Sequence, residues 1–220
     1  MHLSRIRNIA PWILGLGSLF VVFLFIFINI VEDVVTSDRI VGIDVSIAKA
    51  IASMRTPALT KFFLFVTELG STTSMLLIIA VITISYVFFA KKRYVLPFLV
   101  TALGSTASVN IIKQLIARDR PDISIAFYAE KLFSFPSGHS ASSLAIFGFV
   151  AYVWVKRTHS TAVRILIVCL SVLLILAIGL SRLYLGVHYL SDVLGGYVLG
   201  ILWLIIGISL VELRTKTKVS

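Results

Sequence analysis

Cysteine is almost absent from this 220-residue chain, and the single Cys169 excludes an internal disulfide and any cysteine metal cluster. Charge is scarce too: Asp, Glu, Lys and Arg make up 14%, where a soluble domain carries about a quarter. An ordinary water-soluble enzyme is therefore not expected. Acids are the scarcer sign, 10 against 20 Lys and Arg, and neither they nor the four His show a metal-site spacing such as H-E-x-x-H. With no repeat, low-complexity tract or linker, residues 1–220 read as one domain that needs no metal and no cofactor.

What fills the chain instead is apolar, 59% hydrophobic with a mean hydropathy of +1.03. A bilayer core about 30 Å thick needs roughly 20 apolar residues of helix. Six runs approach that length, five of them uncharged and the last broken only by Asp192: Pro11 to Val31, Ser71 to Ala90, Tyr94 to Ile112, Ser140 to Val155, Ile165 to Leu180 and His188 to Val211. The expected fold class is all-α, a polytopic membrane helical bundle of six transmembrane helices with both termini on one side. The first run is longer than a signal-peptide core, and Asn29-Ile30-Val31-Glu32 offers no small-x-small cleavage site, so it reads as an uncleaved span.

Between the first two spans, Ile43, Ile47, Ile51, Met54 and Ala58 recur at helical spacing, while Asp44, Lys49 and Arg55 fall elsewhere. The segment Ile43 to Leu59 reads as an amphipathic helix in the outer membrane interface, or equally as a connector packed on the bundle. The Lys61 to Val66 stretch leads to Gly70-Ser71, where the helix bends or begins its crossing.

The net charge of +10 is unevenly placed. Loops on the side of the termini hold eleven Lys and Arg, including Arg5, Arg7, Lys91, Lys156 and Lys218, against Glu212 alone. The other side holds nine of each sign. By the positive-inside rule the first side is cytoplasmic, which leaves no basic face for nucleic acid. Localisation in the cell membrane follows, with lipid as the surrounding partner.

Ionisable residues beside membrane spans are functional candidates, because each costs a few kcal/mol in hydrocarbon. Three groups lie at the outer ends of spans. In the first, Lys113 is followed after six residues by Arg120-Pro121. A continued helix would place both cations on one face, and Pro121 stops the helix at Arg120. In the second, Pro136-Ser137-Gly138-His139 starts the fourth span, with Ser137 as a cap and free N–H groups suited to phosphate. In the third, Ser181-Arg182 precedes His188 and Asp192, whose four-residue separation lets the carboxylate orient the imidazole. Lys113, Arg120 and Arg182 supply three cations for a phosphate, and Ser137 and Gly138 add neutral donors. Glu68, near the outer end of the second span, either lines the same pocket or marks the interface.

These eleven positions, K-x6-R-P, P-S-G-H and S-R-x5-H-x3-D, resemble without substitution the signature of the type 2 phosphatidic acid phosphatase family, which shares its core with the vanadium haloperoxidases. The resemblance implies a metal-independent lipid phosphatase. His188 would be the nucleophile of a phosphohistidine intermediate, Asp192 its orienting partner and His139 the acid and base. It implies as substrate a membrane lipid phosphate at the outward face: undecaprenyl diphosphate, phosphatidylglycerol phosphate or phosphatidate. The rival is an anion or lipid transporter using the same charges, which would place them near the midplane in repeated halves.

Overall fold

Serine and threonine mark where the helices begin. Ser37, Thr56, Ser71, Ser137 and Ser160 each stand in extended backbone and accept, through the side-chain oxygen, an N–H of the following first turn. The computed structural model describes residues 2–89, 92–122 and 124–217, and these form helices with no strand among the described residues. In chain order they are α1 (His2–Thr36), α2 (Asp38–Ser53), α3 (Pro57–Glu68), α4 (Thr72–Phe88), α5 (Val95–Ile116), α6 (Gly138–Arg157), α7 (Thr161–Tyr184) and α8 (Leu190–Thr217). Ala90, Lys91 and Lys218 lie outside the described residues, as do the side chains of Arg5, Arg7 and Lys216.

Five helices are long and apolar enough to cross a membrane. The pair α3 and α4, bent by 45° at Leu69 to Ser71, makes a sixth if it crosses as one broken span. The described residues thus carry five to six candidate spans, and the bend falls where Gly70-Ser71 suggests it. The segment Ile43 to Leu59 is different from the expectation. It is not one helix: Met54 to Thr56 break it, because Thr56 caps α3 and Pro57 occupies that helix's first turn. Its apolar stripe is divided: Ile51 packs on the cluster of Phe63, Tyr184 and Leu185, while Ile43 and Met54 are exposed, and Asp44 is buried.

The bundle is inverted relative to a soluble protein. Leu166, Leu170, Leu173 and Leu176 on α7 are exposed, while Arg182, His188, Asp192, Ser140 and Ser143 are buried. Its centre is α8, which packs on α1, α5 and α6, while α6 also packs on α7. Gly196 and Gly200, one turn apart on α8, permit a close approach of α8 to α6. A Cβ at Gly196 would lie 2.5 Å from the Ser137 carbonyl oxygen, and one at Gly200 would lie 2.7 Å from that of Ala141. This is small-residue packing, which lets two helix backbones meet without an intervening side chain. Trp12 and Leu16 of α1 share a groove with Ser209 and Leu213 of α8, so the two terminal helix ends lie together, away from the polar cluster.

Candidate active site

The start of α6, the turn into α8 and the loop after α5 converge at one end of the bundle. The chain leaves α5 at Ala117 in the left-handed region (φ 48°, ψ 38°), where an L-residue is strained by roughly 1–2 kcal/mol. A continuous helix from Lys113 to Arg120 therefore does not form. It ends at Ile116, before Pro121 can act, and Arg120 reaches the site from the loop. The two cations still meet there. Lys113 donates to the carbonyls of Phe133 and Ser134, the latter at 3.2 Å. Arg120 donates to the carbonyls of Leu132 and of Val187, at 2.7 Å for Val187, and its NH1 lies 3.4 Å from His188 Nε2.

Arg182, on the last turn of α7, is 1% exposed. Its NH1 donates to Thr67 Oγ1 at 2.6 Å and to the Tyr128 hydroxyl at 2.8 Å. Its NH2 pairs with Glu130, whose other oxygen lies 2.8 Å from Arg120 NH2. One carboxylate thus spans two guanidinium groups. Burial opposes the charge on Glu130, but Arg182 and then Arg120 outweigh it and hold the carboxyl below its ordinary range. Arg182 Nε is buried without a hydrogen-bond partner.

His188 sits in the turn just before α8, two residues ahead of its first residue. Its Nδ1 lies 3.3 Å from Asp192 Oδ2, the oxygen that also accepts the Tyr189 N–H at 2.9 Å. The pair forms because Asp192 reaches back over the first turn of α8, as an acid does in a capping box, rather than by stacking along a helix face. A carboxylate on Nδ1 leaves the Nε2 lone pair free and turned towards Arg120. Burial first, then Arg182, Arg120 and Lys113, push His188 well below the ordinary imidazole value. The ring is neutral at pH 7.

Ser137 and Gly138 take different positions. Ser137 is fully buried and its oxygen accepts from the Ser140 N–H at 3.4 Å and the Ser140 hydroxyl at 3.0 Å. Gly138 and His139 line the cavity itself, with Lys113, Arg120, Glu130 and His188. The cavity holds about 310 Å³ and continues along Thr72, Met75, Leu76 and Ile79 of α4 and Thr106, Val109 and Asn110 of α5. Glu68 is exposed and takes no part in the lining.

The structure also brings in residues that the motifs do not contain. Thr67, Tyr128 and Glu130 hold Arg182. Arg118, inside the spacer of the first motif, donates to Asp192 Oδ1 at 2.6 Å and to Asp44 Oδ2 at 2.8 Å. Asp44, placed on the polar side of a surface helix by periodicity, is instead 2% exposed. For Glu130, Arg118 and Asp44 the one sequence signal was charge in an apolar chain.

A sequence model of the PAP2 superfamily matches residues 93–216. Phosphatidylglycerophosphatase B of Bacillus subtilis is 34% identical over 185 residues, covering 81% of this chain and 88% of that protein. Decaprenylphosphoryl-5-phosphoribose phosphatase of Mycolicibacterium smegmatis is 35% identical over 110 residues, covering 49% of this chain and 54% of that one. The crystal structure of a transmembrane PAP2 type phosphatidylglycerolphosphate phosphatase from Bacillus subtilis superimposes with a TM-score of 0.80 at 28% identity, covering 90% of this chain and 96% of that chain.

Proposed function

The chain belongs to the PAP2 superfamily as a multi-pass membrane lipid phosphatase, and from that premise we propose that it removes a terminal phosphate through a covalent intermediate on His188. The observation that carries this reading is the shared cavity of His139, His188, Lys113, Arg120 and Gly138. In the first step His188 Nε2 attacks phosphorus. The bond to the leaving oxygen breaks, and His139 gives that oxygen a proton. Asp192 holds Nδ1–H and offsets the charge that the imidazole gains. In the second step His139 takes a proton from water, the water oxygen attacks phosphorus, and the P–N electron pair returns to His188.

Lys113, Arg120, Arg182 and the Gly138 N–H stabilise the phosphoryl oxygens in both steps. The unpartnered Arg182 Nε is a donor suited to such an oxygen, since a buried N–H left unpaired is costly. Ser137 contributes by shaping the turn that presents Gly138. Lipid tails would lie against Met75, Leu76 and Ile79, the apolar part of the cavity wall. With the Lys- and Arg-rich ends of the bundle cytoplasmic, the termini face the cytoplasm and the site faces outward. A site there suits undecaprenyl diphosphate, with phosphatidylglycerol phosphate and phosphatidate as the alternatives.

The test is phosphate release by purified protein in detergent from these three lipids, with EDTA present. Wild type is expected to release phosphate from at least one of them, and His188→Ala from none. Undiminished release by His188→Ala overturns the mechanism, and strict dependence on added metal overturns its metal independence. A reporter fused after Ser220 tests the topology: activity outside the cell inverts it.

A further inference from the structure

Asp192 is itself held, and by a residue from far earlier in the chain. Its Oδ2 serves His188 and the Tyr189 N–H, and its Oδ1 receives Arg118 NH1 at 2.6 Å. The same NH1 donates to Ser191 Oγ at 2.7 Å, while NH2 donates to Asp44 Oδ2 at 2.8 Å. Asp44 Oδ1 accepts the Ser191 N–H at 3.1 Å, and the Ser191 hydroxyl donates to Oδ2. The guanidinium lies over the Tyr189 ring, 4.5 Å from its centroid. Side-chain exposures are 9% for Arg118, 3% for Asp44 and 0% for Asp192, so no bulk water competes with the chain of contacts.

The charges explain why both members are needed. Arg118 fixes the rotation of Asp192, but a lone guanidinium would also neutralise the carboxylate and weaken its hold on a cationic imidazole. Asp44 offsets Arg118. Two carboxylates, one guanidinium and a neutral imidazole sum to −1, and the cluster becomes neutral when His188 takes on positive charge. Buried charge is tolerated when it is paired in this way.

We propose that Arg118 and Asp44 are positioning residues for the nucleophile: Arg118 orients Asp192 against His188, and Asp44, from α2, keeps the charge of Asp192 available to the imidazolium. This inference rests on the reading of His188 as nucleophile. It gives α2 a task in catalysis.

The test uses the full chain in detergent with phosphatidylglycerol phosphate, and compares Asp44→Asn, Arg118→Gln and Arg118→Lys with wild type. All three are expected to lower kcat by roughly ten- to a hundredfold, the size of one lost charge-assisted contact, with KM little changed. The acid limb of kcat/KM distinguishes charge from mere packing. His188 is faced by Lys113, His139, Arg182, Arg120, Glu130 and Asp192, none of which these variants alter. Asp44→Asn removes a negative charge and moves the limb to lower pH. Arg118→Gln removes a positive charge and moves it to higher pH. Arg118→Lys keeps the charge, loses the fork, and leaves the limb in place. Each charge-removing shift has a fixed sign, so either of those two variants, if folded, decides the matter.

Unchanged kcat, or a limb that does not move in either charge-removing variant, overturns the proposal. Enzyme quenched in alkaline denaturant, in which the N–P bond survives, is probed in parallel for a phosphohistidine on His188. Wild-type enzyme that turns over without one refutes the nucleophile reading itself, whereas a phosphohistidine together with unaltered variants refutes only the relay.

Discussion

The backbone N–H of Ser137 donates to the backbone carbonyl of Asp192 at 2.9 Å. Main chain thus joins the turn that carries His139 to the first turn of the helix that follows His188. The separation of the two imidazoles is set by backbone, and Gly196 and Gly200 allow the contact to form. Gly196→Ala is expected to cost about 1–3 kcal/mol, because its Cβ would lie 2.5 Å from the Ser137 carbonyl oxygen, a backbone atom, and 2.9 Å from Ser140 Cβ, and neither can swing aside. It should also lower kcat. Thermal unfolding in detergent and lipid phosphate turnover check this, and a variant as stable and active as wild type contradicts it.

Glu130 occupies the facing N–H groups of Arg120 and Arg182, where a phosphoryl oxygen has the same chemistry. In Glu130→Gln the amide keeps an acceptor but no charge, so competition for the two guanidiniums weakens. Inhibition by inorganic phosphate is expected to tighten several-fold, corresponding to roughly 1 kcal/mol. Weaker inhibition would mean that Glu130 organises the arginines rather than competing for them.

Attack requires neutral His188, and a histidine is neutral above its own pKa. Burial and the flanking cations place that value well below 6.5, opposed by Glu130. Activity that depends on the neutral ring is therefore retained as pH falls through 6.5, and is lost only on further acidification. A kcat/KM profile from pH 4 to 8 reads this directly. An acid limb centred at or above 6.5 would refute the assigned environment.

Arg182→Lys retains a charge but cannot serve Thr67, Tyr128 and Glu130 while leaving a donor for phosphate. A guanidinium spreads five donors over a plane, and an ammonium points three from one atom. The expected loss is at least tenfold in kcat/KM, measured on the lipid that wild type hydrolyses fastest. Recovery to wild-type rates would show that charge alone suffices at this position.

The spans and the three motifs were legible because each stands out against its surroundings: long apolar runs against loops, and Lys113, Arg120, His139, Arg182, His188 and Asp192 against hydrocarbon. Asp44 was not. Helical periodicity assigns a charged residue to the water side unless a partner is known, and Arg118 lies 74 positions away. Glu130 and Tyr128 come from a loop with no periodicity to read. The early end of α5 had no signal either, since Ala117 is neither Gly nor Asn, the residues that usually adopt its backbone conformation. Local pattern reported depth in the membrane well, and long-range charge pairing poorly.

The break between α3 and α4 separates two tasks. The frame of α6 and α8 is locked backbone to backbone, but α4 packs on its neighbours α5 and α6 without such a lock and meets α3 at a 45° angle. The cavity wall formed by Met75, Leu76 and Ile79 of α4 is thus built apart from the α6 and α8 frame that holds His139 and Asp192, so a change in that wall need not pass through the backbone contact of the reacting groups.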